Sequence, residues 1–259
     1  MKWAISGKGG VGKTTLTSLL AYELCAQGYQ VMTVDADPSP CLADALGFPQ
    51  ESVRNIVPIA EMEDLITERT GSKPGTMGGF FKLNPRVDDI PDRFSATHRG
   101  IKLLELGAVK TGGSGCICAE SVLLRQLVSN LLLQRKEAIL MDMYAGVEHL
   151  GRATSDMVDA MLIVVEPTAR SLGTAAQIKQ LASDIHIEKL YLVGNKVQSQ
   201  ADKDFIAANS PGLPVLGYLS ADPAVLAADR ERKPVYDLSP RLAEETRAIL
   251  AGLGVGGAS

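Results

Sequence analysis

The sequence carries no large excess of charge of one sign. A net charge of −4 over 259 residues gives no electrostatic footprint for nonspecific nucleic-acid binding. No uninterrupted apolar run approaches the length of a membrane span. The first apolar stretch starts at Lys2 and runs straight into glycine, which sets the expectation of a chain without a secretory leader. The last residues, Ala-Gly-Leu-Gly-Val-Gly-Gly-Ala-Ser, carry no basic amphipathic helix of the kind that lies on a membrane surface. Four cysteines, in a chain expected to be cytosolic, point to reduced thiols or a metal and not to a disulfide frame. There is no internal repeat and no low-complexity tail. These absences set the expectation of a cytoplasmic protein with neither a nucleic-acid nor a membrane partner. What remains is ordinary in amount: 46% apolar and 22% charged residues, enough for one sizeable core spanning 1–259 as a single domain.

The informative stretch is Gly7-Lys8-Gly9-Gly10-Val11-Gly12-Lys13-Thr14-Thr15, which fits the phosphate-binding pattern G-x-x-x-x-G-K-[ST]. Lys2 to Ser6 before it can form a short strand, and Leu16, Leu19, Leu20 and Leu24 after it recur at helical spacing. Glycines let the backbone fold closely around an anion, and the N–H groups at the helix start point at phosphate oxygens. Gly9, Gly10, Val11, Gly12, Lys13, Thr14 and Thr15 are therefore the expected ATP/ADP contacts. Lys13 would reach the β- and γ-phosphates and the Thr14 hydroxyl would bind Mg²⁺.

Further strands are expected at Val31–Asp35, Ile101–Leu106, Ala138–Asp142, Met161–Val165, Leu190–Val193 and Val215–Leu219. Helical stretches are expected at Leu42–Leu46, Ile59–Glu68, Glu120–Gln134, and near 173–184, 202–208, 222–231 and 240–251. Strand–helix alternation repeated this often predicts an α/β fold, a mostly parallel sheet with helices on both faces. Residues 71–98 are broken by glycine and proline and read as an irregular insertion, and 252–259 as a flexible tail.

In an open parallel sheet, ligands gather at the C-terminal ends of the strands. Asp142 ends a strand there and suits Mg²⁺, directly or through water. Asp35 and Asp37 leave the end of another, and Pro38 behind Asp37 also favours an N-cap role for it. Asn195 follows the strand Leu190–Val193, and its amide can both donate to and accept from an adenine edge. Glu166 to Arg170 ends the preceding strand, with no atom assigned to the nucleotide. Cys116 and Cys118 are two apart, so in extended chain both sulfurs point the same way. One such pair supplies two ligands where a closed tetrahedral thiolate site needs four; a two-fold dimer would bring two identical pairs together. Thiolates accept nickel, zinc and iron alike. Cys25 reads as a small buried hydrophobe, Cys41 as structural, and His149 as a helix-start residue.

Lys8 makes the loop G-K-G-G-V-G-K-T-T, which resembles the deviant Walker A loop of the MinD, ParA, ArsA and nitrogenase iron-protein group. That resemblance implies an ATPase in which Lys8 reaches the partner's nucleotide across a dimer interface. It also implies that the second aspartate of Asp35-Ala36-Asp37-Pro38 positions the attacking water, and that Asn195 meets the base. The catalytic set is then Lys8, Lys13, Asp37 and Asp142. Together with Leu103 to Cys118 and Asp142 to Arg152, the loop is similar to the CooC type of accessory ATPase. The resemblance implies a homodimer that depends on nucleotide and metal. It would bind Ni²⁺ (Zn²⁺ can substitute) between paired Cys116 and Cys118 and assist nickel insertion into carbon monoxide dehydrogenase. Tyr144 departs from that pattern, where glutamate is usual. Two rivals are weighed beside it: an iron–sulfur carrier of the same superfamily, for which Cys-x-x-Cys is the usual spacing, and a MinD- or ParA-like positioning ATPase, which has no need of Cys116 and Cys118.

Overall fold

Seven apolar runs become the parallel strands of a single eight-stranded sheet, described by a computed structural model over residues 1–74, 82–107, 119–131, 136–144 and 158–256. The strands are β1 Lys2–Gly7, β2 Gln30–Ala36, β3 Ala96–His98, β4 Ile101–Glu105, β5 Glu137–Met143, β6 Ala160–Val165, β7 Leu190–Val197 and β8 Val215–Ser220. Their order is β3-β4-β2-β5-β1-β6-β7-β8, and every pair is parallel except β3 with β4. The central strands are buried on both faces, so they read as continuous apolar runs rather than alternating ones, as Ala-Met-Leu-Ile-Val-Val of β6 shows.

Each face has its own core. One packs the helices Ala119–Asn130 and Ala169–Asp184 against the sheet through residues such as Leu123, Leu127, Leu172 and Ile178. The other packs the helices Lys13–Ala26 and Pro240–Gly252 through Leu16, Leu19, Leu20, Leu24, Ile249 and Leu250. Burying each of those leucines contributes about 1.5–3 kcal/mol. The first helix is enclosed almost all round, so even Glu23 is buried. Burial works against that carboxylate's charge, but hydrogen bonds from Arg247, Gln27 and Tyr236 outweigh it and hold its pKa below the ordinary value.

Several boundaries differ from expectation. The helix expected over Ile59–Glu68 is two elements, a 3₁₀ turn Ile59–Glu61 and a helix Glu63–Thr70, separated at Met62 (ψ 77°). The expected irregular stretch 71–98 contains a helical turn, Ile90–Phe94, and the edge strand β3. Strands β3 and β4 form a hairpin closed by Arg99 and Gly100, both at positive φ (49° and 83°). That is the geometry of a tight two-residue turn, with Arg99 tied to Asp237 and lying over the Tyr22 ring. The helix expected near 173–184 begins at Ala169 because the Thr168 side chain caps it. β7 runs on to Val197, which places Asn195 inside a strand rather than after one. The helix expected to reach Gln134 is described to Asn130; residues 132–135, like 257–259 of the expected tail, lie outside the described residues.

Candidate functional site

β1 sits where the chain's route through the sheet reverses, with β5 on one side and β6 on the other. At this switch point the C-terminal strand ends splay and a ligand crevice forms. Gly7 closes β1, and Lys8–Gly12 turn into the helix Lys13–Ala26. Gly7, Gly10 and Gly12 all have positive φ (149°, 79° and 97°), which side chains rarely adopt. Space is closed at two of them as well. A Cβ on Gly12 would lie 2.1 Å from Asn195 Nδ2, and one on Gly7 would lie 2.5 Å from the Val164 carbonyl oxygen. Among the described residues no side chain caps the helix start, which leaves its first N–H groups for an anion. Lys13 is buried beneath the loop and Lys8 is exposed on it.

Three carboxylates line up across neighbouring strands: Asp142 of β5 is in register with Asp35 of β2, and Asp35 with Glu105 of β4. Their environments differ. Asp35 accepts backbone hydrogen bonds from Asp37, Cys41 and Leu42 at 3.0 Å each, although burial still lifts its pKa. It thereby ties the segment after β2 to the sheet. Asp142 accepts the Thr14 hydroxyl at 2.6 Å through Oδ2, while Oδ1 is buried without a hydrogen-bond partner among the described residues. Burial pushes the Asp142 carboxyl up to about 7, against the pull of the Thr14 hydrogen bond. An orphaned carboxylate oxygen beside a phosphate-loop threonine is a donor set that fits Mg²⁺. Glu105 is also pushed up to about 7, by burial and then by the neighbouring Asp35 charge. Nothing in the sequence distinguished it, because a glutamate at a strand end is usually solvated.

The other predicted residues fall into place unevenly. Asp37 is half-buried and accepts the Ser39 amide at 2.9 Å. It caps no helix, since the helical turn Leu42–Ala45 starts behind Cys41. Cys41 is exposed, its sulfur 3.5 Å from the Thr14 hydroxyl. Cys25 is half-buried rather than buried. Asn195 is buried over the loop: Nδ2 donates to the Val11 carbonyl at 2.7 Å and Oδ1 accepts the Lys196 amide at 2.8 Å. One N–H and one lone pair of its amide remain for a base. Tyr144 follows β5 and is 46% exposed. Cys116, Cys118 and His149 lie outside the described residues, and among the described residues no group of three or more His, Cys, Asp or Glu could hold a metal ion.

From Gly10 and Gly12 a cavity of about 800 Å³ extends past Thr15 and Asn195 to Ser220, Pro223 and Leu226. That is the size of a small-molecule site. Its far wall is held by Asp222, which accepts the Ala224 amide at 2.8 Å and the Ser239 hydroxyl at 2.6 Å. The sequence did not reveal this wall, since 220–229 carry no phosphate or metal motif.

Over residues 3–235 the sequence matches the family model described as the CobQ/CobB/MinD/ParA nucleotide binding domain. The chain belongs to this family. It is 47% identical over 253 residues to the carbon monoxide dehydrogenase accessory protein CooC of Rhodospirillum rubrum, covering 98% of this chain and 96% of that protein. It is 46% identical over 252 residues to an uncharacterized ATP-binding protein of Methanocaldococcus jannaschii, with 96% of each covered. The resemblance to CooC-type proteins therefore holds along the whole chain. Among solved structures, the fold matches the MinD cell division protein of Aquifex aeolicus with a TM-score of 0.69 at 20% identity, covering 100% of this chain and 98% of that one. A ParA family ATPase from Chlorobium tepidum matches with a TM-score of 0.67 at 18% identity, covering 97% of each. At those identities the likeness concerns the fold alone. No helix among the described residues is long and apolar enough to cross a membrane.

Proposed function

We propose that the chain is a cytoplasmic, ATP-hydrolysing metallochaperone. In this reading it carries Ni²⁺ between two subunits and assists nickel insertion into the active-site cluster of carbon monoxide dehydrogenase. The observation that carries the reading is 47% identity to CooC along 98% of the chain, joined to a phosphate loop, Thr14–Asp142 pair and cavity that suit ATP. The triphosphate lies on the loop's N–H groups and on Lys13, and adenine lies in the cavity beside Asn195. Mg²⁺, held by Thr14 and Asp142, supplies neutralising charge at the phosphates. Asp37 orients a water whose oxygen bonds to the γ-phosphorus as the bond to the bridging oxygen breaks, giving ADP and inorganic phosphate. Lys8, exposed on the loop, reaches the nucleotide of the second subunit. The same closure brings two Cys116–Cys118 pairs together, four thiolates for one ion.

The test is an anaerobic Ni²⁺ titration with no nucleotide, with ADP and with ATP, on the wild type and on a Cys116→Ser/Cys118→Ser variant. The expected result is about one nickel per dimer with sulfur-to-metal charge-transfer bands, both lost in the variant. Unchanged nickel affinity in the variant overturns the thiolate site. A broad brown iron–sulfur absorption on purification favours the carrier instead, and ATP-dependent dimers indifferent to nickel favour a positioning ATPase.

A further inference from the structure

The end of β7 is irregular in a way that a plain strand does not require. Its pairing with β8 slips between Gly194 and Val197, and Lys196 adopts a left-handed φ of 58°, a conformation uncommon for any residue with a side chain. The kink is held by Asn195, whose Oδ1 accepts the Lys196 amide. It swings the Lys196 side chain back over the phosphate loop. There Nζ donates to the Gly10 carbonyl at 2.7 Å and to the Glu166 carboxylate at the end of β6.

The consequence follows from peptide geometry. In a trans peptide the C=O and the N–H point in opposite directions. With the Gly10 carbonyl drawn to Lys196, the Val11 N–H faces the other way, where it donates to the Lys8 carbonyl at 3.3 Å. With the Val11 carbonyl drawn to Asn195 at 2.7 Å, the Gly12 N–H is turned away from the Asn195 amide. Two consecutive peptide planes are thus set by side chains from residues 195 and 196. The ion pair by itself has little weight, since the Lys196 side chain is 51% exposed and exposed pairs contribute little. A surface ion pair also needs no left-handed backbone. The strain makes sense when the ammonium must reach a particular carbonyl.

We propose that Lys196, steered by Glu166, is a positioning residue that sets the phosphate loop before nucleotide arrives. Phosphate-bearing ligands then bind without having to order glycines first. This rests on the nucleotide reading of the site, and the experiment separates the two. Mg-ADP binding is measured by calorimetry, and adenosine binding by NMR at millimolar concentration. Both are measured on the full-length wild type and on Lys196→Met, Lys196→Arg and Glu166→Gln variants. The backbone amide signals of Gly10, Val11 and Gly12 are followed without ligand.

The expected result for Lys196→Met is Mg-ADP affinity lowered about tenfold or more, the scale of one charge-assisted hydrogen bond, with adenosine affinity unchanged within about twofold. Its loop amides shift and exchange faster with solvent. Lys196→Arg recovers most of the affinity, and Glu166→Gln, which keeps a neutral acceptor, loses less than Lys196→Met. Should Lys196→Met prove insoluble, the Glu166→Gln and Lys196→Arg comparison carries the test on the same readouts. Mg-ADP affinity and loop amides matching the wild type overturn the proposal, as do equal losses for ADP and adenosine, which would assign Lys196 to the base cavity. A wild type that binds neither ligand removes the nucleotide reading itself.

Discussion

Replacing Asp142 by asparagine isolates the least comfortable group in the site. In the folded chain burial holds this carboxyl at about 7, against 3.8 for an ordinary aspartate. The folded state therefore binds the proton more tightly than the unfolded state. Stability from this group is fully present below about pH 3.8, falls as pH rises, and is gone above about pH 7. At about 1.4 kcal/mol per pH unit, the span amounts to roughly 4 kcal/mol. Asparagine removes that slope and still accepts the Thr14 hydroxyl. It puts an amide N–H₂ where Oδ1 had no partner among the described residues, an unmet donor that costs about 1–3 kcal/mol. The two stability curves should therefore cross. Without ligand the variant is less stable than wild type near pH 4, by about 1–3 kcal/mol, and more stable near pH 8 by a similar amount. Glu105 contributes a similar slope to both proteins and largely cancels in the difference. Urea unfolding at several pH values checks this, repeated with Mg-ADP at about a hundred times its dissociation constant. The wild type should then gain about 2.7 kcal/mol, and the variant should lose the Mg²⁺-dependent share. Parallel pH curves for the two proteins would refute the reasoning, because they would mean that Asp142 is charged in the folded state at no cost.

Three further outcomes follow from the same geometry. Gly12→Ala meets both the 97° φ and the Asn195 amide 2.1 Å away; it should lose Mg-ADP binding in calorimetry and about 2 kcal/mol or more of unfolding free energy. Lys8→Ala changes an exposed side chain, so unfolding free energy should move by less than about 0.5 kcal/mol while ATP-dependent self-association disappears in light scattering; dimers that persist with ATP would exclude Lys8 from the interface. Glu105→Gln removes a carboxyl raised from 4.5 to about 7, so between those values its stability should fall less steeply with rising pH than the wild type's, by up to about 1.4 kcal/mol per pH unit.

What the sequence disclosed is what local chemistry determines. The glycine spacing around Lys13 had to sit between a strand and a helix, and it does. The continuous apolar runs had to be parallel strands, and β1, β2 and β4 to β8 start within a residue of their expected positions. The place of Asp142 was readable because the apolar run Ile139-Leu140-Met141 before it marks a buried strand whose end faces the phosphate loop. The features that escaped depend on distant partners. β3 is three residues long, with a half-buried, exposed, half-buried pattern, and exists because the Arg99–Gly100 turn folds it onto β4. The break at Met62 and the wall at 220–229 carry no periodicity of their own. Asn195 was expected to face a base, but its engagement with Val11 was not expected, because nothing local predicts which carbonyl an amide will meet 184 residues away. Glu166 was placed near the nucleotide without an atom, for want of Lys196 as its partner.

The bond from Asn195 to Val11 also has a temporal side. A ribosome making about 5–20 residues per second finishes the glycine loop roughly ten to forty seconds before it makes the asparagine that orients it. A growing chain thus owns its anion-binding residues early but cannot hold them in working order until most of the remaining sheet has been made. The loop's final shape is therefore set late in synthesis, after six of the eight strands are complete.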